Sequence, residues 1–200
     1  MDYKTILKKS IPYISAIVIF LIVSSLYFKP AFDGYDVKQA DMVNYRGMSN
    51  DLNAFYDATD GEEPLWTNSM FSGMPATQIA VFNHGNHVRD IRSILSFGLP
   101  HPVNILFLYF LGFFILGLVL RINPWISAAG ALAFGFSSYF IIIIEAGHVT
   151  KAYTIAFMAP VIAAFIMAYR RSLMWGVILS AFFMMLQIGS NHVQITYYLG

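Results

Sequence analysis

Glu145-Ala-Gly-His-Val-Thr-Lys151 lies between two apolar runs, residues 122–144 and 152–169. Each run is close to the roughly 20 residues that a helix needs to cross about 30 Å of hydrocarbon. The stretch between them is too short for a domain and reads as a tight turn at a membrane surface. A plain turn has no need of an acid, an imidazole and an ammonium together, and ionisable groups near membrane depth are costly. Thr150 is placed to cap the helix that follows, whose N-terminal end carries partial positive charge and free N–H groups. With His148 and Lys151 beside it, that end is expected to hold an anion such as a lipid phosphate. Glu145 either joins this cluster or pairs with Lys151 across the turn.

Outward from the turn, the same pattern repeats. The chain is 58% hydrophobic and 12% charged, unlike an ordinary soluble domain. Further apolar runs occupy residues 11–28, 102–120 and 172–190, which with the first two makes five expected spans. The C-terminal Gln194-Ile-Thr-Tyr-Tyr-Leu-Gly200 reads as the start of a sixth, so the chain is expected to be part of a longer protein. The expected fold is an all-α polytopic membrane bundle. Its expected divisions are a cytoplasmic N-terminus with the first span (1–28), a large outer loop (29–101), and the remaining spans (102–200). Lys4, Lys8 and Lys9 precede the first span, and the turns at Arg121 and at Arg170-Arg171 are short and basic. The positive-inside rule then puts these in the cytoplasm and the large loop outside.

That loop is too long for a connector and too rich in aromatic residues for disorder. Residues 37–56 show near-helical apolar spacing and predict one amphipathic helix, ended by Asp60-Gly61-Glu62-Glu63-Pro64. An aromatic, Gly/Pro-rich loop follows, then a polar turn at Asn83-His84-Gly85-Asn86-His87, then a short helix from about Asp90 to Phe97. Within the spans, Gly112, Gly117, Gly130 and Gly135 suggest close helix packing, and Pro160 suggests a kink. Gln187 is expected to bond a neighbouring helix.

Two short turns on the outer side each carry His before Val, at Gly147-His148-Val149 and Asn191-His192-Val193, and each begins a new helix. A single interfacial His is more often a solvated polar tip, and a Lys there more often snorkels; the Glu145, His148 and Lys151 combination points to function. Asp33, Asp36 and Asp41 follow the first span, where a carboxylate is well anchored for general-base work, and spacing alone does not choose among them. With no Cys, no thiolate metal site or disulfide exists. No metal motif, phosphate-binding Gly loop or nucleophile elbow is present, and nothing supports nucleic-acid binding. The carboxylates permit a divalent metal and do not require one.

Gln39-Ala-Asp41, Tyr45-Arg-Gly-Met48, Glu63-Pro-Leu-Trp-Thr-Asn-Ser-Met-Phe-Ser-Gly-Met-Pro75, Gly147-His-Val-Thr-Lys151 and Asn191-His-Val-Gln-Ile-Thr-Tyr-Tyr198 together resemble the YfhO family of bacterial membrane proteins, in its Bacteroidetes-type branch. The resemblance implies a GT-C-like fold and a glycosyltransferase of the cytoplasmic membrane. Such an enzyme moves a sugar from a polyprenyl-phosphate donor to a cell-envelope acceptor on the outer face, with inversion. It implies Asp41 as the base and Gln39 as the residue orienting it. His148, Lys151 and His192 are implied to hold the lipid phosphate, with Asn191, Arg46, Trp66 and Asn68, which sit in the same motifs, on the substrate side. The rival expectations are a transporter or flippase for a lipid-linked or anionic solute, which would use broken helices and mid-membrane charges, and a non-catalytic envelope scaffold.

Overall fold

In the computed structural model, residues 3–80 and 87–199 are described, and among them ten α-helices carry most of the chain. The first, α1 (Tyr3–Tyr27), is a long apolar helix that buries one stripe, Ala16, Phe20 and Ser24, spaced four apart as a helix face requires. Phe20 sets its ring 5.5 Å from those of Phe110 and Phe114. A 3-10 turn with Pro30 near its start ends the helix, and Gly34 closes that turn at φ +82°.

The described residues between 29 and 101 then build a small irregular layer. Where one amphipathic helix is expected over 37–56, two occur: α2 (Ala40–Met48) and α3 (Asn50–Ala58). The break is at Ser49, which is buried and returns its hydroxyl to the Tyr45 carbonyl at 2.9 Å. Such back-bonding competes with helix continuation. Gly61 (φ +94°) sits just beyond α3, within the expected stop signal. The aromatic loop folds as a minimal antiparallel hairpin, β1 (Trp66–Thr67) on β2 (Met74–Pro75), and Thr67 bonds the Asp51 carboxylate of α3. That bond holds the Asp51 pKa below the ordinary carboxylate range. Of the expected polar turn at 83–87, residues 83–86, His84 among them, lie outside the described residues, and His87 meets Asp90 at 3.2 Å. α4 (Val88–Leu95) follows, close to the expected short helix.

The apolar remainder forms a helical bundle around α5 (Val103–Val119) and α8 (Val149–Arg170). They approach closely because position 112 lacks a side chain: a Cβ there would meet the Ala156 carbonyl oxygen at 2.6 Å and Pro160 Cδ at 3.0 Å. Gly112 is thus the packing glycine that its setting suggests, and Pro160 lies inside one continuous α8. The expected run 122–144 is not one helix. It is α6 (Pro124–Gly135) and α7 (Ser138–Ala146), bent by 48°. Gly135 leaves room for the Phe110 ring, and Phe136 at the break packs on Tyr27 and Phe110 with ring centroids 5.2 and 5.3 Å away. Inserted side chains at a Gly/Ser junction are an ordinary cause of a kink. α9 (Leu173–Ile188) returns along α8, with Gly176 against the Ala168 backbone, and α10 (Val193–Leu199) begins after it.

Two described helices are long and apolar enough to cross a membrane, Leu7–Tyr27 and Val149–Arg170, and the bent α6–α7 pair makes a third when taken as one span. α5 and α9, at 17 and 16 residues, are apolar but shorter than a full crossing. The chain is therefore a largely helical membrane protein.

Candidate functional site

The site forms where α7 ends. Gly147 adopts φ +88° and closes α7 as a left-handed cap, which makes His148, not Thr150, the residue preceding α8. Thr150 lies within the helix, and its carbonyl accepts a bond from Thr154. The expected Thr150 cap fails because the glycine turn ends α7 late and starts α8 early.

The absent side chain of Gly147 also lets residues 39–42 seat on the turn. A Cβ there would lie 2.8 Å from Gln39 Cβ and 3.2 Å from Met42 Cγ. Gln39, buried, donates from Nε2 to the Ile144 carbonyl at 2.6 Å. That carbonyl belongs to the last turn of α7 and also accepts from the Gly147 N–H at 3.2 Å, so Gln39 adds a second cap bond from 105 residues away. Gln39 Oε1 meets His101 Nε2 at 3.3 Å, a contact that needs the proton on Nε2. Burial pushes the His101 pKa below the ordinary imidazole value, and Asp36 pulls the other way. Two residues along, Asp41 Oδ2 meets His148 Nδ1 at 2.8 Å, both side chains about half exposed. Gln39 and Asp41 thus both engage the 145–151 turn, but by different partners. Gln39 bonds Ile144 and His101 while Asp41 bonds His148, so Gln39 positions the turn rather than the carboxylate itself.

Two cavities flank α2. One, of about 760 Å³ and open to the outside, is lined by Asp41, Asn44, Gly47 and, from the hairpin, Ser69 and Met70. The other, of about 730 Å³, lies between the α2 region, α4, α5 and α8. Its lining includes Gln39 and Arg46 from the expected set, together with Lys38, Arg89, Arg92, His101, Asn104 and Tyr153. Arg92 lies 3.9 Å from the Tyr153 ring centroid, and Asn104 Nδ2 donates to the Tyr153 hydroxyl at 2.9 Å. Sequence reading overlooked Arg89 and Arg92; their i, i+3 spacing on one short helix was the available signal.

The other expected residues sit apart. Lys151 places its ammonium 5.3 Å from the Tyr139 ring centroid, Glu145 is exposed, and the two make no ion pair with each other. His192 is half-buried with Nδ1 unpartnered, and Asn191 is exposed at φ +61°. Neither lines the two cavities beside α2. Trp66 donates from Nε1 to Asn68 Oδ1 at 3.2 Å and covers Gly73, which fixes both residues within the hairpin. Gln187, expected to bond a neighbouring helix, is buried with neither amide atom bonded. The three candidate aspartates are separated: Asp33 ends the 3-10 turn, Asp36 lines the basic cavity, and Asp41 pairs with His148. Among the described residues no group of three His, Asp or Glu side chains could hold a metal ion.

Comparison of the chain with protein-family models, with curated proteins and with solved structures gives no match.

Proposed function

We propose that the chain belongs to a membrane glycosyltransferase that moves a sugar from a polyprenyl-phosphate donor to a cell-envelope acceptor on the outer face of a bacterial cytoplasmic membrane. The observation that carries this reading is the contact between Asp41 and His148 at the edge of an open groove. It brings a carboxylate and an imidazole from distant segments to one place, and fixes the carboxylate through its second oxygen, as a positioned base requires. In this mechanism an acceptor hydroxyl in the groove attacks the anomeric carbon. Its proton passes to Asp41, and the bond from that carbon to the phosphate oxygen breaks, leaving the electron pair on the phosphate. His148 holds the carboxylate in place through Nδ1. The YfhO-like motifs and a GT-C-like five-span architecture with an outer loop form part of the same proposal.

The test is sugar transfer from a panel of polyprenyl-phosphate sugars by purified wild type, Asp41→Asn and His148→Ala proteins. Transfer by the wild type that falls at least a hundredfold in Asp41→Asn, with donor still bound, is the expected result. Equal turnover in Asp41→Asn would remove the catalytic assignment.

Transport is the second reading, because the α6–α7 break resembles the discontinuous helices of transporters. Against it, aromatic rings fill that break where a solute site would present polar backbone. Uptake of a lipid-linked sugar into vesicles without any transfer would favour transport.

A further inference from the structure

We infer that the cavity between the α2 region, α4, α5 and α8 is a binding site for a phosphomonoester or diphosphate head, and that the donor's phosphate sits here rather than at the 145–151 turn. The cavity collects four cationic side chains, Lys38, Arg46, Arg89 and Arg92, against one carboxylate, Asp36. The ion pairs among the described residues, His87 with Asp90 and His148 with Asp41, involve none of the four. These cations come from separate stretches, Lys38 and Arg46 from around α2 and the other two from α4, so they are gathered by the fold and not by a local charge run. Lys38, Arg46 and Arg89 are exposed and screened by water, but Arg89 repels the partly buried Arg92, a cost that a shared anion would relieve. Burial pushes the Arg92 guanidinium below its ordinary pKa; Tyr153 opposes that shift and Arg89 adds to it.

The geometry also suits phosphate in detail. Arg92 lies over the Tyr153 ring, and Asn104 donates to the Tyr153 hydroxyl, so the guanidinium is held in place at the cavity wall. A planar guanidinium offers paired N–H donors that match two phosphate oxygens. Four cations less one carboxylate leave a surplus of three charges, which a head carrying about two negative charges fits better than a singly charged diester. Val37, Met42, Val43 and Val149 give the same cavity an apolar wall for the carbon chain of an amphiphile.

The inference rests on the transferase reading only for the ligand's role as donor; the site itself is tested by binding alone. Wild type, Arg46→Gln, Arg89→Gln and the double variant of the full chain, each checked by thermal unfolding, are titrated in detergent. The probes are inorganic phosphate, pyrophosphate, short-chain phosphatidic acid (a monoester) and phosphatidylglycerol (a diester). Arg92 is left intact because its stacking on Tyr153 also supports the fold. Phosphatidic acid is expected to bind several-fold tighter than phosphatidylglycerol, with about a tenfold loss for each Arg removed. Competition by inorganic phosphate or pyrophosphate at similar affinity would identify the head as sufficient; binding of phosphatidic acid that free phosphate does not displace would identify a lipid ligand. Equal binding of the two lipids, or binding unchanged in the double variant, would overturn the inference. Sugar transfer that persists when the double variant no longer binds phosphate would remove the donor role and leave the transferase reading standing. Phosphate binding without transfer by any protein would do the reverse.

Discussion

The chain has two short turns of nearly the same local sequence, Gly147-His148-Val149 and Asn191-His192-Val193, each opening a helix. The first is gripped by a distant segment: Gln39 bonds the Ile144 carbonyl, Asp41 bonds His148, and Gly147 lies against Gln39 and Met42. Val88 of α4 packs on Gly189 just before the second, but among the described residues the Nδ1 of its histidine is buried without a partner. A His before a helix is therefore not a site in itself. It becomes one when the fold supplies a second group that orients it.

Changes that break the first turn should have the largest effects. Gly147→Val forces a β-branched residue to φ +88° and into Gln39, for an expected loss of about 2–4 kcal/mol, read as a lower unfolding temperature in detergent. Gln39→Leu removes one of the two bonds that the Ile144 carbonyl accepts, leaving only the Gly147 N–H, and should cost about 0.5–1.5 kcal/mol by the same measurement. An unchanged melting curve would mean that the segment does not hold the turn. A double-mutant cycle between Asp41→Asn and His148→Gln should give a coupling of only about 0.5–1 kcal/mol, because both side chains are half exposed. The parallel change, His192→Gln, should couple to Asp41→Asn by nothing measurable. A coupling equal to that of His148 would erase the contrast between the turns.

The smallest effect is on pH. Burial depresses the His101 pKa from about 6.5, so the folded state binds fewer protons there than the unfolded chain. Stability should be unaffected by this group well above pH 6.5. It should fall as the pH is lowered through that value and level off below the depressed pKa. His101→Gln should flatten that part of the unfolding-temperature profile, and His192→Gln should leave it in place.

Several parts of this arrangement were legible from residue order. Long apolar runs announce membrane helices, His148 stands out by type and place, and Asp41 is one of three aspartates that follow the first span. Their contact was not legible, because no local pattern reports which of three aspartates reaches a turn more than 100 residues later. Thr150 looked like a cap since Ser and Thr usually serve there, yet a positive-φ glycine moved the helix start by two residues. The 48° bend hid within Gly135-Phe-Ser-Ser138, where average hydropathy stays high while Phe110 packs on Gly135 and Phe136 packs on Tyr27. Arg89 and Arg92 share only an i, i+3 spacing in the sequence, and it is α2, α5 and α8 that make them part of a cavity wall.

The Gln39 bond also has a consequence for the order of assembly. A ribosome releases Gln39 105 residues before the carbonyl it will bind. The docking surface for residues 39–42 does not exist until α5, α6 and α7 have been made and packed. During that interval the segment from 29 to 101 waits beside the membrane with its buried amide exposed. A nascent chain halted at residue 135 should be cut by protease near Gln39, and one halted beyond α8 should resist, which would make the docking of this segment a late checkpoint in biogenesis.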